Sequence, residues 1–272
     1  MKRGGIMKYY VISDIHGFYT PMINALTEKG FFEDKEPSKL IICGDLLDRG
    51  EEGKQVIDFV LEMMAQDRVI LIRGNHEDLL EDLIDQLLYG DIYDLEMECS
   101  HHNHNGTWRT ALELTGFSHA NALARSKMMA NFLKNSVFYK KIMSQMLDYY
   151  ETNNYIFVHG YIPCYAAEGD TVYRPYKRYY LNKEWRRAPL QEWRNARWYN
   201  GMEFACKRGL RVENKTVVCG HWHTSYGHAW VDHRCSEFGK DADFSPFYHD
   251  GVIALDGCTK HSGVVNCIVL ED

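Results

Sequence analysis

Five short polar clusters stand out for the chemistry their side chains can do. They are Asp14-Ile15-His16-Gly17, Gly44-Asp45 followed by Asp48-Arg49-Gly50, Arg73-Gly74-Asn75-His76-Glu77, His159-Gly160, and Gly220-His221-Trp222-His223. Asp14 and His16 stand two apart. On an extended backbone such residues point to the same side, so both are expected to reach one ion. Carboxylate oxygen, imidazole nitrogen and an Asn carbonyl, with no thiolate among them, suit Mn²⁺, Fe or Zn²⁺ rather than a cysteine-rich structural zinc site. The six or seven N and O donors exceed what one ion needs. One of them is an aspartate able to bridge, which suggests two ions roughly 3.5 to 4 Å apart, the arrangement used for in-line attack on phosphorus.

Taken singly, each cluster has an ordinary explanation. An Asp-x-His is commonly a loop, Gly-Asp after a strand is frequent, and Asn75 suits the capping residue of a helix. Their joint order carries the functional reading, because each follows an apolar run of strand length.

The elements that must position these clusters alternate along the first ninety residues. Runs at 7–13, 39–43 and 69–72 have strand length and end in glycine-containing turns. Between them Phe18, Met22, Ala25 and Leu26 recur at helical spacing, as do Val56, Ile57, Val60, Leu61 and Met64, then Leu79, Leu80, Leu83, Ile84, Leu87 and Leu88. Strands separated by helices predict βαβ units and a sheet covered on both faces. Residues 91–150 read as helical with polar loops, including SHHNHNG at 100–106. Further strand-like runs appear at 155–158, 216–219, 252–255 and 264–270, the last two resembling an antiparallel pair closing a second sheet. Ligands in open α/β sheets gather at the carboxyl ends of the strands, where all five clusters fall.

The 272 residues are 45% hydrophobic and 25% charged, which allows one large α/β domain with insertions. No apolar run comes near the ~20 residues of a membrane helix, and MKRGGIMKYY leads into VISDIHG rather than the apolar stretch of a signal peptide. Residues 1–6 read as a dispensable extension. Eight cysteines without a CxxC pair or an export signal predict reduced thiols and a cytoplasmic protein, with Cys43 and Cys219 acting as small buried hydrophobes. The net charge of −7 hides a basic segment: residues 174–211 hold eleven Lys or Arg against three Glu. An anionic ligand is therefore compatible with the overall sign.

The motifs DIHG, GDLLDRG, RGNHE, FVHG and GH, in this order, resemble the calcineurin-like metallophosphoesterases. The resemblance is closest to the phosphoprotein phosphatase (serine/threonine protein phosphatase) branch, whose signature is GDxxDRG with GNHE. HNGTWRT at 104–110 is similar to that branch's NGGxxT segment, and VIALDGCTKHSGVVNCIVL to its closing strands. The likeness covers most of residues 7–164 and 215–270, and leaves 165–214 as an unmatched basic, aromatic-rich insertion or cap.

The resemblance implies a four-layer αββα sandwich of two mixed sheets flanked by helices. It implies two divalent ions, Mn²⁺ ahead of Fe or Zn²⁺, and attack on phosphorus by a hydroxide bridging them. Asp14 and His16 would hold the first ion, Asp45 would bridge, and Asn75, His159 and His221 would hold the second. His76 would be the general acid paired with Asp48, and Arg49 would grip the phosphate. Arg197, Arg194 and Arg73 are candidates for a second phosphate-binding arginine. VVCGHWHTS departs from the branch by carrying GHxH, as the broader family does, and this assigns His223 to the ion held by Asp14 and His16. His101, His102 and His104 read as a solvated histidine loop ahead of a further metal site.

The expected partner is a phosphorylated substrate, with no membrane and with nucleic acid less favoured. A protein phosphatase-like phosphomonoesterase ranks first. A dinucleoside polyphosphate hydrolase or other nucleotide phosphoesterase ranks second, and a metal-containing binding protein without turnover third. The segment's tyrosines and tryptophans, among them Tyr173, Tyr176, Trp185, Trp193 and Trp198, suit either stacking on a base or packing on the sandwich.

Overall fold

The computed structural model describes residues 7–35, 37–97, 100–167 and 177–272. The extension at 1–6 and the aromatics Tyr173 and Tyr176 lie outside the described residues.

Alternation along the first strands sets the layers. β1 (Lys8–Ile12) turns Tyr9 and Val11 to one face and Tyr10 and Ile12 to the other, and β2 (Ser38–Cys43) likewise separates Ile41 and Cys43 from Leu40 and Ile42. β3 (Val69–Ile72) continues the parallel ladder, with Tyr10 opposite Leu40 and Leu40 opposite Val69. The connections run through α1 (Tyr19–Glu28) and α2 (Gly53–Ala65), and α3 (Asn75–Tyr89) follows β3. Met22, Leu26, Val56, Val60, Leu80, Leu83 and Leu87 from these helices cover the Tyr10–Ile12 face.

Residues 101–135 add α4 (His101–Asn105), α5 (Thr107–Thr115), α6 (His119–Ala124) and α7 (Ser126–Asn135) to the same helical layer. SHHNHN is helix rather than loop: Ser100 Oγ accepts the Asn103 N–H at 3.3 Å, capping α4, and His102 is buried.

The second sheet is built from β4 (Tyr150–Glu151), β5 (Tyr155–Phe157), β8 (Thr216–Cys219), β9 (Phe247–His249) and β10 (Val252–Ala254), in the order β4-β5-β8-β10-β9. The two sheets meet through Tyr9, Val11, Ile41, Cys43, Ile72, Phe157, Val218, Ile253, Leu255 and Ile268. On the far face of the second sheet, Trp185 and Trp193, the latter on α8 (Leu190–Ala196), pack on Ile156, Val217 and Val252. The layers are thus helices, sheet, sheet, helices. A two-stranded ribbon, β6 (Cys164–Ala166) with β7 (Tyr179–Leu181), flanks them, and α9 (Ser225–Trp230) follows β8.

One expectation fails. β10 and β11 (Cys267–Glu271) are not an antiparallel pair: β10 lies parallel to β8, while β11 crosses to the first sheet and runs antiparallel to β1, Ile12 opposite Cys267. After Leu255 the chain passes through a single turn, α10 (Thr259–Ser262), and Ile268 then fills the inter-sheet core from the opposite side. An apolar run reports that a strand is buried, and says nothing of which sheet receives it. Among the described residues no helix is long and apolar enough to cross a membrane.

Candidate metal centre

The clusters meet where strands from both sheets end, and they do so on strained backbone. Asp14 (φ 51°), His16 (50°), Asp45 (56°), Asp48 (73°), Arg49 (62°) and His221 (65°) all occupy the left-handed region. Each such non-glycine residue costs ~1–3 kcal/mol, and such strain clusters at functional sites. Asp14 and His16 therefore converge through left-handed turns after β1 ends, and not by alternation on an extended strand; His16 Nε2 lies 3.9 Å from Asp14 Oδ1. Glycine is required where backbone meets these carboxylates. A Cβ at Gly74 would stand 2.1 Å from Asp45 Oδ1, and one at Gly220 2.1 Å from Asp14 Oδ2.

Asp45 is the common member of two groups whose ligand atoms lie within 4.8 Å of one another: His16, Asp45 and His76, and Asp45, His159 and His221. The histidines are oriented from behind. His16 donates Nδ1–H to the Leu47 carbonyl at 3.1 Å, and His159 donates Nδ1–H to the Cys43 carbonyl at 2.8 Å. Each Nε2 then turns a lone pair into the site, the support typical of imidazole ligands. His16 Nε2 faces Asp45 Oδ2 at 3.6 Å. His159 Nε2 faces Asn75 Oδ1 at 2.7 Å and Asp45 Oδ1 at 3.4 Å, and His221 Nδ1 reaches the same Asn75 oxygen at 2.9 Å. Imidazole nitrogens, an amide oxygen and a carboxylate converging on one point are a set that suits a cation. Asp14 accepts the His221 N–H and lies 3.9 Å from His16 Nε2, beside the first group though not within it.

The electrostatics agree. Burial, then the neighbouring Asp256 and Asp45 charges, push the Asp14 carboxyl well above the usual range, a like-charge stress that a dication relieves. Burial would raise Asp45 as well, but His159, His76 and His16 outweigh it and hold Asp45 low. Burial, helped by His76, keeps His16 well below the ordinary histidine value, and burial with His159 brings His221 down to about 3. Both shifts favour the neutral ring, the form that ligates.

His76 is arranged differently. Its Nδ1 donates to Asp48 Oδ2 at 2.6 Å, and the same oxygen accepts from Thr107 Oγ1 at 2.8 Å. Arg49 Nη2 donates to His76 Nε2 at 3.2 Å. Burial lowers the His76 pKa, but Asp45 and the Asp48 hydrogen bond carry it above the ordinary value. Gly106 (φ 89°) lets α4 and α5 approach, since a Cβ there would meet the Arg49 nitrogen at 2.8 Å.

Three sequence-based candidates lie elsewhere. Arg73 donates Nε to Asp78 at 2.8 Å and pairs with Glu81 at 2.5 Å. Arg197 is buried, with Nη1 on Asp78 at 2.7 Å and Nη2 on Asp148. Carboxylates thus occupy both guanidinium groups, and Arg194 pairs with Asp82. His223 does not join the ligand groups: its Nε2 takes Glu237 Oε1 at 3.0 Å, while Glu237 Oε2 accepts from Trp230. Asn75 is not the helix cap either. Gly74 is the N-cap, which frees the Asn75 amide for the site.

Two buried acids were given no role from sequence, although Glu77 stood within the third cluster. Glu77 accepts N–H groups from Gly74 (2.8 Å), Asp45 (3.1 Å) and Leu46 (3.0 Å), lacing the second cluster to the third, and burial with the Asp45 charge raises it to about 7. Asp256, at the end of β10, interacts electrostatically with Asp14 and His223. Its signal was an acid and a glycine straight after an apolar run, the pattern that marked Asp45.

The family model for calcineurin-like phosphoesterases matches residues 7–225. The chain belongs to this family. Among curated relatives, the asymmetrical bis(5'-nucleosyl)-tetraphosphatase PrpE of Anoxybacillus flavithermus is 36% identical over 80 residues, 27% of this chain and 33% of that protein. The symmetrical bis(5'-nucleosyl)-tetraphosphatase of Buchnera aphidicola is 41% identical over 71 residues, 26% of this chain and 24% of that protein. The chain therefore spans about a quarter to a third of the curated relatives it matches. A solved structure provisionally assigned as a diadenosine tetraphosphatase superposes with a TM-score of 0.50 at 13% identity, over 97% of this chain and 89% of that one, and shares its fold.

Proposed function

We propose that the chain hydrolyses phosphate esters at a pair of divalent ions. Asp45 carries this reading, because it is shared by two converging ligand groups beside the Asp48–His76–Arg49 array. Asp14, His16 and Asp45 would hold one ion, and Asp45, Asn75, His159 and His221 the other. When bound, the ions supply Lewis acidity toward the phosphoryl oxygens and toward water.

The chain's own residues bind, orient and protonate. Arg49 offers a planar fork of donors to the non-bridging oxygens. His76 is fixed at Nδ1 by Asp48. Once phosphate draws Arg49 from Nε2, that nitrogen takes up a proton, as its raised pKa favours, and passes it to the departing oxygen, while the attacking water gives up a proton in exchange. Thr107 and Asp48 keep the ring in this orientation. A water oxygen bonds to phosphorus as the ester oxygen leaves from the opposite side. Mn²⁺ is the favoured ion for this all-N,O donor set, and Fe or Zn²⁺ also suits it.

For the substrate, GDLLDRG with RGNHE supports a phosphomonoester such as phosphoserine or phosphothreonine. The names of the curated relatives favour a second reading, a dinucleoside polyphosphate. The test is a panel of p-nitrophenyl phosphate, phosphopeptides, mononucleotides and dinucleoside tetraphosphate, assayed with several divalent metals. Metal binding without turnover of any of them would leave a binding protein and end the hydrolase reading.

A further inference from the structure

Beside the metal centre lies a cavity of about 1040 Å³ whose walls are aromatic and basic. Two indoles form its border with the site: the Trp198 ring stands 5.6 Å from that of His221, edge-on, and Trp222 stands 6.1 Å from the same imidazole. Both stay partly open to solvent, Trp198 at 44% and Trp222 at 37%. They differ in this from Trp185 and Trp193 of the same region, which are each 2% exposed and serve the core. Deeper in, Tyr199 stacks on Phe204 at 4.5 Å and 12°.

The polar groups are few and specific. Among the described residues Lys207 has no carboxylate partner, and its ammonium sits 4.8 Å above the Tyr226 ring. Asn200 is 6% exposed; its Oδ1 accepts the Glu203 N–H, while its Nδ2 finds no acceptor. A buried amide donor without a partner is costly unless a ligand supplies the acceptor. Glu203, which lines the same wall, is engaged by Arg208 at 2.6 Å.

We propose that this cavity takes the nucleoside phosphate portion of the substrate, with its heterocyclic base between the aromatic walls and its phosphate toward Lys207. The proposal rests on the hydrolase reading and names its substrate class. Flat π-faces stack on any base, an ammonium held by Tyr226 and the Trp230 ring and without a carboxylate answers a phosphate, and an amide donor reads a ring nitrogen or carbonyl. The volume matches that of a small-molecule site. In the reaction, water forms the new P–O bond, and the P–O bond to the nucleoside-bearing portion breaks with its electron pair staying on the departing oxygen.

The test measures binding to the full chain loaded with Mn²⁺, by calorimetry and by quenching of tryptophan fluorescence, using adenosine 5'-monophosphate, adenosine, ribose 5-phosphate, inorganic phosphate and a phosphoserine peptide. Adenosine 5'-monophosphate should bind at least about tenfold more tightly than ribose 5-phosphate, the size of one stacking contact. Trp198→Ala should lose that advantage while metal content stays unchanged, and Lys207→Gln should weaken adenosine 5'-monophosphate but not adenosine. Equal affinity for ribose 5-phosphate, or an advantage that survives Trp198→Ala, would overturn the proposal. Tighter binding of the phosphopeptide would reassign the cavity to a peptide. Hydrolysis of p-nitrophenyl phosphate is followed in parallel: turnover without nucleotide preference removes only the cavity assignment, and nucleotide binding without turnover removes only the hydrolase reading.

Discussion

His159 and Asn75 meet acceptor to acceptor: the imidazole Nε2 lies 2.7 Å from the amide oxygen, with the Nδ1 proton committed to the Cys43 carbonyl. Asp45 adds a third acceptor at 3.4 Å. With the ring neutral, its Nε2 lone pair and both oxygens face one point; either a proton on Nε2 or a metal ion answers all three, and the further histidine His221 on the same amide oxygen favours the ion.

The proton donor is tested at His76. His76→Asn should keep its metal and lose ~10²- to 10⁴-fold in kcat on a substrate with a poor leaving group. The loss should be smaller with p-nitrophenyl phosphate, whose departing oxygen needs little protonation. Wild-type turnover on both would remove His76 from this role. Loss of one ion would instead make it a ligand, since its Nε2 stands 3.8 Å from Asp45 Oδ2.

Arg197 is expected to hold structure rather than phosphate. Arg197→Met takes one partner from Asp78, which keeps Arg73, and the partner of the half-open Asp148, so the loss should be ~1–3 kcal/mol, below that of a fully buried pair. Denaturant unfolding should show that loss. Unchanged stability with a raised KM for phosphate substrates would restore the phosphate-gripping role that the sequence suggested.

At His223 the GHxH pattern points to an ion and the side chain bonds Glu237 instead, and elemental analysis decides between the two roles. With His223 bonded to Glu237, His223→Ala should keep the wild-type metal content. Loss of an ion would return His223 to the set with Asp14 and His16.

Much of this was legible in the sequence because strands buried on both faces read as unbroken apolar runs, as in KLIIC and TVVC. The clusters after them carry side chains that converge on Asp45. The path of β11 was not legible, since Cys267–Glu271 is equally apolar whichever sheet accepts it. Nor were the left-handed turns: Asp14, His16 and Arg49 lack the glycine signature of positive φ, and only the packed site holds them there. Arg197 finds its partners 119 and 49 residues away, beyond any local pattern.

Acid should loosen the attachment of the insertion. Glu151 on β4 accepts two hydrogen bonds from Arg186 and pairs with Lys215 at 2.8 Å. The Arg186 bond leads in bringing its carboxyl down to about 2, against burial. Because the folded pKa lies below the unfolded value of ~4.3, the contribution is full above that value and disappears as pH falls toward about 2. Glu151→Gln should therefore be less stable than wild type at neutral pH and converge with it in acid, as read by thermal unfolding. A gap that stays constant across this range would show that the charge contributes nothing.

The central claim is that Asp45 joins two ion sites, and metal stoichiometry tests it most directly. Chain stripped with chelator and titrated with Mn²⁺ should bind two ions, whereas Asp45→Asn should bind no more than one tightly. A wild-type chain that takes a single ion, or an Asp45→Asn chain that still takes two with unchanged affinity, would contradict the account.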